Sequence, residues 1–280
     1  MEKARPSLLV IVVDIQSLFN FAMTKVGQSD MEALHKVIQD TVSAIAVFCS
    51  SYALMHRQNM LSVLTSQVIS TSVIYPTPSD DSFIPELHTL SNTITTGITA
   101  AMADHMVRIG EQYLTDTTRG ALSQSFSTAL SIINRHKDVQ SRILVLQFER
   151  DRNQNYNALM NSIFSAQKLN ILVDALVLAS FDSHLLQQAC FLTGGLYLKH
   201  PDAEDLLQLL MTHYLADNST RKVLALPLQK SVDFKASCHC HKRPVEFAYM
   251  CSVCLTLTCQ PAEQCVVCAT PARSSLTQVR

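Results

Sequence analysis

The chain has 280 residues, a length that suits about two domains. Its composition, 48% apolar and only 16% charged, excludes an intrinsically disordered chain. A formal net charge of −1 leaves no whole-molecule field to steer toward nucleic acid, and no uninterrupted apolar run approaches the ~18 residues that span a bilayer.

The N-terminal stretch MEKARPSLLVIVVDIQ looks like a leader because Lys3 and Arg5 precede Leu8–Val13. The run is short, Asp14 ends it and no small-residue cleavage site follows, so it reads as a buried central strand. VVDIQSLFN then reads as a loop. A helix follows through SDMEALHKVIQDTVSAIAVFCSSYALM, where Ser29 and Glu32 form a capping box. Leu34, Ile38, Val42, Ile45, Cys49 and Tyr52 recur at three- and four-residue steps and make one buried face. NMLSVLTSQVISTSVIYP holds two β-rich runs broken near Ser66-Gln67, a hairpin that makes one edge strand antiparallel. From Pro76 to about Leu90 the composition marks a loop, and Ser and Thr dominate onward to the next helix.

That helix carries Leu122, Phe126, Ala129, Leu130 and Ile133 on one face. Strand Arg142–Phe148, helix NYNALMNSIFSAQ and strand Asn170–Ala179 come next. Helix DSHLLQQACFLTGG is closed by the glycine cap Gly194-Gly195, and strand LYLKH and helix PDAEDLLQLLMTHYL complete the series. Strands alternating with helices predict an α/β fold, a doubly wound and mostly parallel six-stranded sheet over residues 1–215. Residues 216–235 lose periodicity and carry Pro227, so they read as a linker or as an arm laid on the first domain. Residues 236–280 form a small cysteine-rich module.

Ligands of an open parallel sheet sit beyond the carboxyl ends of its strands. No phosphate-gripping glycine loop appears there, which argues against a nucleotide cofactor. Cation-binding A-type domains place Asp-x-Ser-x-Ser at this point. Here Asp14 is followed by Gln16 and Leu18 in place of the two hydroxyls, and leucine offers a hard cation nothing. Asp14 therefore reads as a strand-end residue bonded to nearby backbone. The histidines before the tail are scattered without ligand spacing, Cys49 and Cys190 lie on apolar helix faces, and no nucleophile has a plausible base. No catalytic residue is assigned, and the first domain reads as a binding platform.

The tail is different. Seven of the nine cysteines crowd into the last fifth of the chain, which fits metal ligation in a reducing compartment better than a secreted disulfide framework. Cys251-x-x-Cys254 and Cys265-x-x-Cys268 are two knuckles ten residues apart, the arrangement that tetrahedral zinc takes from thiolates. Four thiolates close the site, so the zinc is structural. Cys238, Cys240, His241 (or His239) and Cys259 are left over. Either they complete a second tetrahedral site, or Cys259 packs as a small apolar residue while the CHCH run caps the fold.

LLVIVVD, SRILVL, IFSAQKLNILVDALVL and LLQQACFLTGGLYLK, followed by YMCSVCLTLTC, together resemble one family. It is the TFIIH core subunit family that joins a von Willebrand A-like domain to a C-terminal C4 zinc module, the general transcription factor IIH subunit 3 family. The resemblance covers nearly the whole chain and places the family's zinc ligands on Cys251, Cys254, Cys265 and Cys268. It implies a non-enzymatic nuclear scaffold in RNA polymerase II transcription initiation and nucleotide excision repair. The implied partners are other TFIIH core subunits, chiefly the second A-domain-plus-zinc subunit, with no small-molecule substrate and no membrane. The long charged C-terminal stretches of some relatives are absent, which argues against a basic tail touching DNA. Two rivals of other classes are a RING-type ubiquitin ligase, which requires a second zinc, and a ubiquitin receptor built on the A-like domain.

Overall fold

The computed structural model describes residues 6–26, 30–67, 70–77, 82–112, 122–149, 156–227, 232, 234–241, 244–271 and 277–279. Its frame is a six-stranded sheet in the order β3-β2-β1-β4-β5-β6. The strands are β1 (Ser7–Asp14), β2 (Met60–Ser66), β3 (Thr71–Tyr75), β4 (Gln140–Gln147), β5 (Leu172–Leu178) and β6 (Tyr197–His200). β1 pairs in parallel with β2 and β4, β4 with β5, and β5 with β6, while β3 returns antiparallel along β2 as the hairpin reading expected.

The uniform apolarity of β1 has a direct cause. Leu9, Ile11 and Val13 point into one core, Leu8, Val10 and Val12 into the other, and all six are fully buried. The first core takes α1 (Ile15–Val26), α2 (Met31–Met55), α3 (Leu87–Gln112) and α7 (Leu206–Leu209), which runs on as a π-helical turn over Leu210–Tyr214. The second takes α4 (Leu122–Arg135), α5 (Tyr156–Lys168) and α6 (His184–Thr193). α2 is long and apolar enough to cross a membrane, but Val42, Ile45, Phe48, Cys49 and Tyr52 are buried in the first core, as in a core helix.

Three expectations need correction. The stretch after β1 is no loop: α1 starts at once, and Ile15, Leu18 and Ala22 fall at the spacing that buries one face. Ser29 lies outside the described residues, and Asp30 caps α2 by accepting from the Ala33 amide at 3.0 Å. The Ser/Thr-rich stretch after Pro76 contains α3, a 26-residue helix. Threonine is a weak helix former, which hid it. Thr93, Thr96 and Thr99 turn their hydroxyls onto carbonyls four residues back, while Leu90, Ile94, Ile98 and Met102 form a buried stripe. Gly97 lets this helix approach β3, since a Cβ there would stand 2.2 Å from Ile74 Cγ2.

Gly194 caps α6 in the left-handed conformation at φ 75°. Gly195 has a steric role instead: a Cβ would stand 2.0 Å from the Val173 carbonyl oxygen of β5. Gly195→Ala is therefore expected to destabilise the domain by about 3 kcal/mol in a denaturant titration, because the obstacle is backbone and cannot rotate away.

Candidate metal centre

The tail is built from short strands. β7 (Ala236–Ser237) pairs with β8 (Pro244–Val245), and β9 (Ala248–Met250) lies between β10 (Leu257–Thr258) and β11 (Thr277–Val279). Between and after these strands the same turn occurs twice, in CSVCLT and CVVCAT. In the first, the Cys251 amide donates to the Thr256 carbonyl at 3.0 Å and the Leu255 amide to the Cys251 carbonyl at 2.9 Å. In the second, the Cys265 amide donates to Thr270 and the Ala269 amide to Cys265, both at 2.9 Å. Leu255 (φ 58°) and Ala269 (φ 55°) sit in the left-handed region, which a residue with a side chain enters only at a cost of about 1–2 kcal/mol. That cost is met twice at equivalent positions, so the turn geometry matters to the molecule.

The turns bring four sulphurs together, all within 4.8 Å of one another. Cys251 Sγ lies 3.6 Å from Cys268 Sγ, and Cys254 Sγ lies 3.5 Å from Cys265 Sγ. Thiolates about 2.3 Å from a tetrahedral zinc stand about 3.8 Å apart, so the set fits such an ion. The Thr256 hydroxyl sits 3.1 Å from Cys254 Sγ and the Thr270 hydroxyl 3.0 Å from Cys268 Sγ. Beside these hydroxyls the Cys254 thiol is lowered and the Cys268 thiol falls to about 6, whereas the Cys265 thiol, against its backbone bonds, is pushed up to about 11 where it faces the Cys254 and Cys268 sulphurs.

The leftover residues also converge. Cys238, Cys240, His241 and Cys259 bring four donor atoms within 4.8 Å, while His239 instead donates its backbone amide to Leu257 at 2.7 Å. None of the nine cysteines is joined to another by a disulfide. The module touches the α/β domain beside α5, where Asn157 Nδ2 lies 3.3 Å from Thr256 Oγ1. In the connecting stretch, the Phe234 ring meets Phe191 of α6 edge to face at 5.1 Å.

At the end of β1, Asp14 serves the fold. Its Oδ1 accepts from the Ser17 amide at 3.2 Å, while the Ser17 hydroxyl donates to the Asp14 carbonyl at 2.9 Å and accepts from the Phe148 amide at 3.0 Å. Ser17 thereby ties β1 to the end of β4, and Leu18 is fully buried in the core. Burial pushes the Asp14 carboxyl up to about 6 against the Ser17 bonds, and the charge of Glu149 adds to the rise. Between about pH 4 and 6 the folded chain thus binds more protons here than the unfolded chain, so stability falls as pH rises through that window. Asp14→Asn keeps the acceptor and removes the charge. It is expected to flatten that fall and to stabilise the chain by on the order of 2 kcal/mol at pH 7.5, read from denaturant titrations at pH 4 and 7.5.

A buried ion pair escaped sequence reading. Asp174, in the middle of β5, is fully buried and accepts two bonds from Arg221, at 2.8 and 2.7 Å, and one from the Leu196 amide at 2.8 Å. Arg142 Nη1 stands 3.7 Å away and donates to the Ala216 carbonyl at 2.9 Å. Arg221 lies on α8 (Asn218–Arg221), so part of the aperiodic 216–235 stretch is an arm laid on the first domain. A lone aspartate inside NILVDALVLA was the available signal, because a carboxylate there demands a cation. A cleft of about 290 Å³ opens nearby, lined in part by Ser7, Gln140, Arg142, Asn170 and Asp217. It lies at the amino ends of the strands, away from the end where such sheets bind ligands.

This architecture defines a von Willebrand A-like domain followed by a cysteine-knuckle module. The fold matches the crystal structure of the TFIIH p34 N-terminal domain with a TM-score of 0.58 at 22% identity, over 74% of this chain and 97% of that one. It matches von Willebrand factor type A from Catenulispora acidiphila with a TM-score of 0.52 at 13% identity, over 73% of this chain and 41% of that one. Residues 6–269 match the model of the transcription factor Tfb4 family, and the chain belongs to that family. Among its relatives, general transcription factor IIH subunit 3 of Dictyostelium discoideum is 37% identical over 80% of this chain and 65% of its own length. General transcription and DNA repair factor IIH subunit tfb4 of Schizosaccharomyces pombe is 32% identical over 95% of this chain and 88% of its own length. The TFB4 subunit of Arabidopsis thaliana is 31% identical, over 94% and 87%. The chain thus spans just under two thirds of the Dictyostelium relative and most of the other two. These names agree with the TFIIH reading and give no support to a ubiquitin ligase or receptor.

Proposed function

We propose that the chain is a non-catalytic structural subunit of TFIIH, acting in the nucleus in transcription initiation by RNA polymerase II and in nucleotide excision repair. The observation that carries this reading is the Tfb4 family match across residues 6–269, which takes in both the α/β domain and the cysteine knuckles. We divide the chain into an A-like domain over 1–215, a connecting stretch over 216–235 and a zinc module over 236–280. Cys251, Cys254, Cys265 and Cys268 would hold a structural zinc ion. Four thiolates leave no coordination position for a water, so the ion's contribution is folding energy.

The A-like domain works as a protein-binding platform. Asp14 and Ser17 are engaged in holding β1 to β4, which leaves partner recognition to the surface. Its main partner is the second A-domain-plus-zinc subunit of the TFIIH core. Exposed Val253, Leu255, Val266 and Val267 on the knuckles are suited to burial within such an assembly. Co-expression of the full chain with each core subunit in turn tests the reading. A stable stoichiometric complex with the second A-domain subunit is expected, with no ubiquitin transfer in a ligase assay. Transfer activity, or failure to bind any core subunit, would contradict it.

A further inference from the structure

The four-thiol clasp leaves a second set of donors unexplained. We propose that Cys238, Cys240, His241 and Cys259 hold a second structural zinc ion through three thiolates and the Nδ1 nitrogen of His241. The proposal stands on the geometry of the tail and not on assembly into TFIIH.

The donor atoms already stand close to ligand spacing. His241 Nδ1 is 3.1 Å from Cys259 Sγ and 3.9 Å from Cys238 Sγ, and Cys240 Sγ is 3.2 Å from Cys259 Sγ. A tetrahedral site with three sulphurs and one nitrogen needs separations of about 3.5–3.8 Å. A Cys-x-Cys-His run is tighter than the usual zinc knuckle, which spaces its ligands by two residues. The structure resolves this through the choice of ring nitrogen. Nδ1 is the nitrogen nearer the backbone, so His241 reaches the site beside Cys240 where Nε2 would overshoot.

The surrounding backbone holds these residues in place. β9 and β10 pair Met250 with Leu257 and Tyr249 with Thr258, which brings Cys259 back along the hairpin. The His239 amide bonds to the Leu257 carbonyl at 2.7 Å and docks the CHCH run on β10. Cys238 is buried at 1% exposure, the environment of a ligand in a closed site. Among the described residues of the tail, Cys238 and Ala248 are the only buried apolar ones, so packing alone gives little reason for three thiols and an imidazole to converge.

The two sites are also interleaved along the chain. Cys251 and Cys254 fall between His241 and Cys259, and Cys259 falls between Cys254 and Cys265. Each site therefore closes a loop that contains a ligand of the other, so the two ions hold the tail as one unit. Binding converts three thiols to thiolates and releases their protons to solvent.

The test is the metal content of the full chain, purified under reducing conditions without chelator, with X-ray absorption at the zinc edge. We expect two zinc ions per chain with a mean first shell of about 3.5 sulphurs and about 0.5 nitrogen. One zinc with four sulphurs would overturn the second site and leave the first intact, whereas no zinc at all would overturn both. His241→Cys is expected to keep two ions and move the shell to about four sulphurs. An unchanged nitrogen contribution in that variant would remove His241 from the site. A Cys240–Cys259 disulfide in peptides of the freshly purified chain would also contradict the proposal.

Discussion

Cys251→Ser or Cys268→Ser is expected to unfold the tail module and to leave the α/β domain folded. The reason is one of scale. Residues 236–280 offer few buried apolar chains, with Cys238 and Ala248 the only fully buried apolar ones among its described residues. A segment so short lacks the core to fold alone. Structural zinc contributes on the order of 10–16 kcal/mol of apparent binding energy in comparable peptides, far more than the tail's packing can supply. If the four thiolates hold zinc as proposed, losing one opens the clasp and removes most of that contribution. Zinc content should fall, and limited proteolysis should cut within 236–280 while the α/β domain resists. Ser252→Ala, at an exposed position in the same knuckle, should change neither reading. A Cys268→Ser chain that keeps its full zinc content and protease resistance would rule out the ligand assignment.

Arg221→Met has the second largest expected effect, about 3–5 kcal/mol lost from the stability of the α/β domain. Asp174 is fully buried, and the substitution removes its two closest charged bonds, leaving the Leu196 amide and the more distant Arg142 nearby. The intact pair is not itself a large net gain, because removing two charges from water offsets most of their attraction. The damage comes from orphaning one partner. The double substitution Asp174→Leu with Arg221→Met should therefore recover most of the loss, as measured by denaturant midpoint at constant slope. A single-variant loss below about 1 kcal/mol would mean that Asp174 finds other partners. Because Arg221 sits on α8, the pair also fastens the chain leaving the domain to β5.

Much of the architecture was legible because its signals are local. β1, β4 and β5 are apolar on both faces, which only a sheet covered on both sides explains, and the glycine cap of α6 lies where the sequence puts it. α3 was hidden because its threonines satisfy their hydroxyls inside the helix, contrary to what their propensity suggests. The four-residue recurrence of Leu90, Ile94, Ile98 and Met102 was the better guide. α1 was hidden by the expectation of a ligand loop after β1. The convergence of the two knuckles could be inferred in outline from spacing, whereas that of Cys238, Cys240, His241 and Cys259 stayed open against a packing alternative. The placing of His241 beside the three sulphurs could not be inferred, because it depends on how the His239 amide docks this run on the β9–β10 hairpin. The Asp174–Arg221 pair joins residues 47 apart, and no local pattern announces such a contact.

The most direct test of the central claim is affinity purification of the full chain from nuclear extract of its own cells, with every co-purifying protein identified by mass spectrometry. The account predicts the TFIIH core subunits in stoichiometric amount, led by the second A-domain-plus-zinc subunit. A chain that purifies without TFIIH subunits, or with ubiquitin-conjugating enzymes in their place, would contradict it.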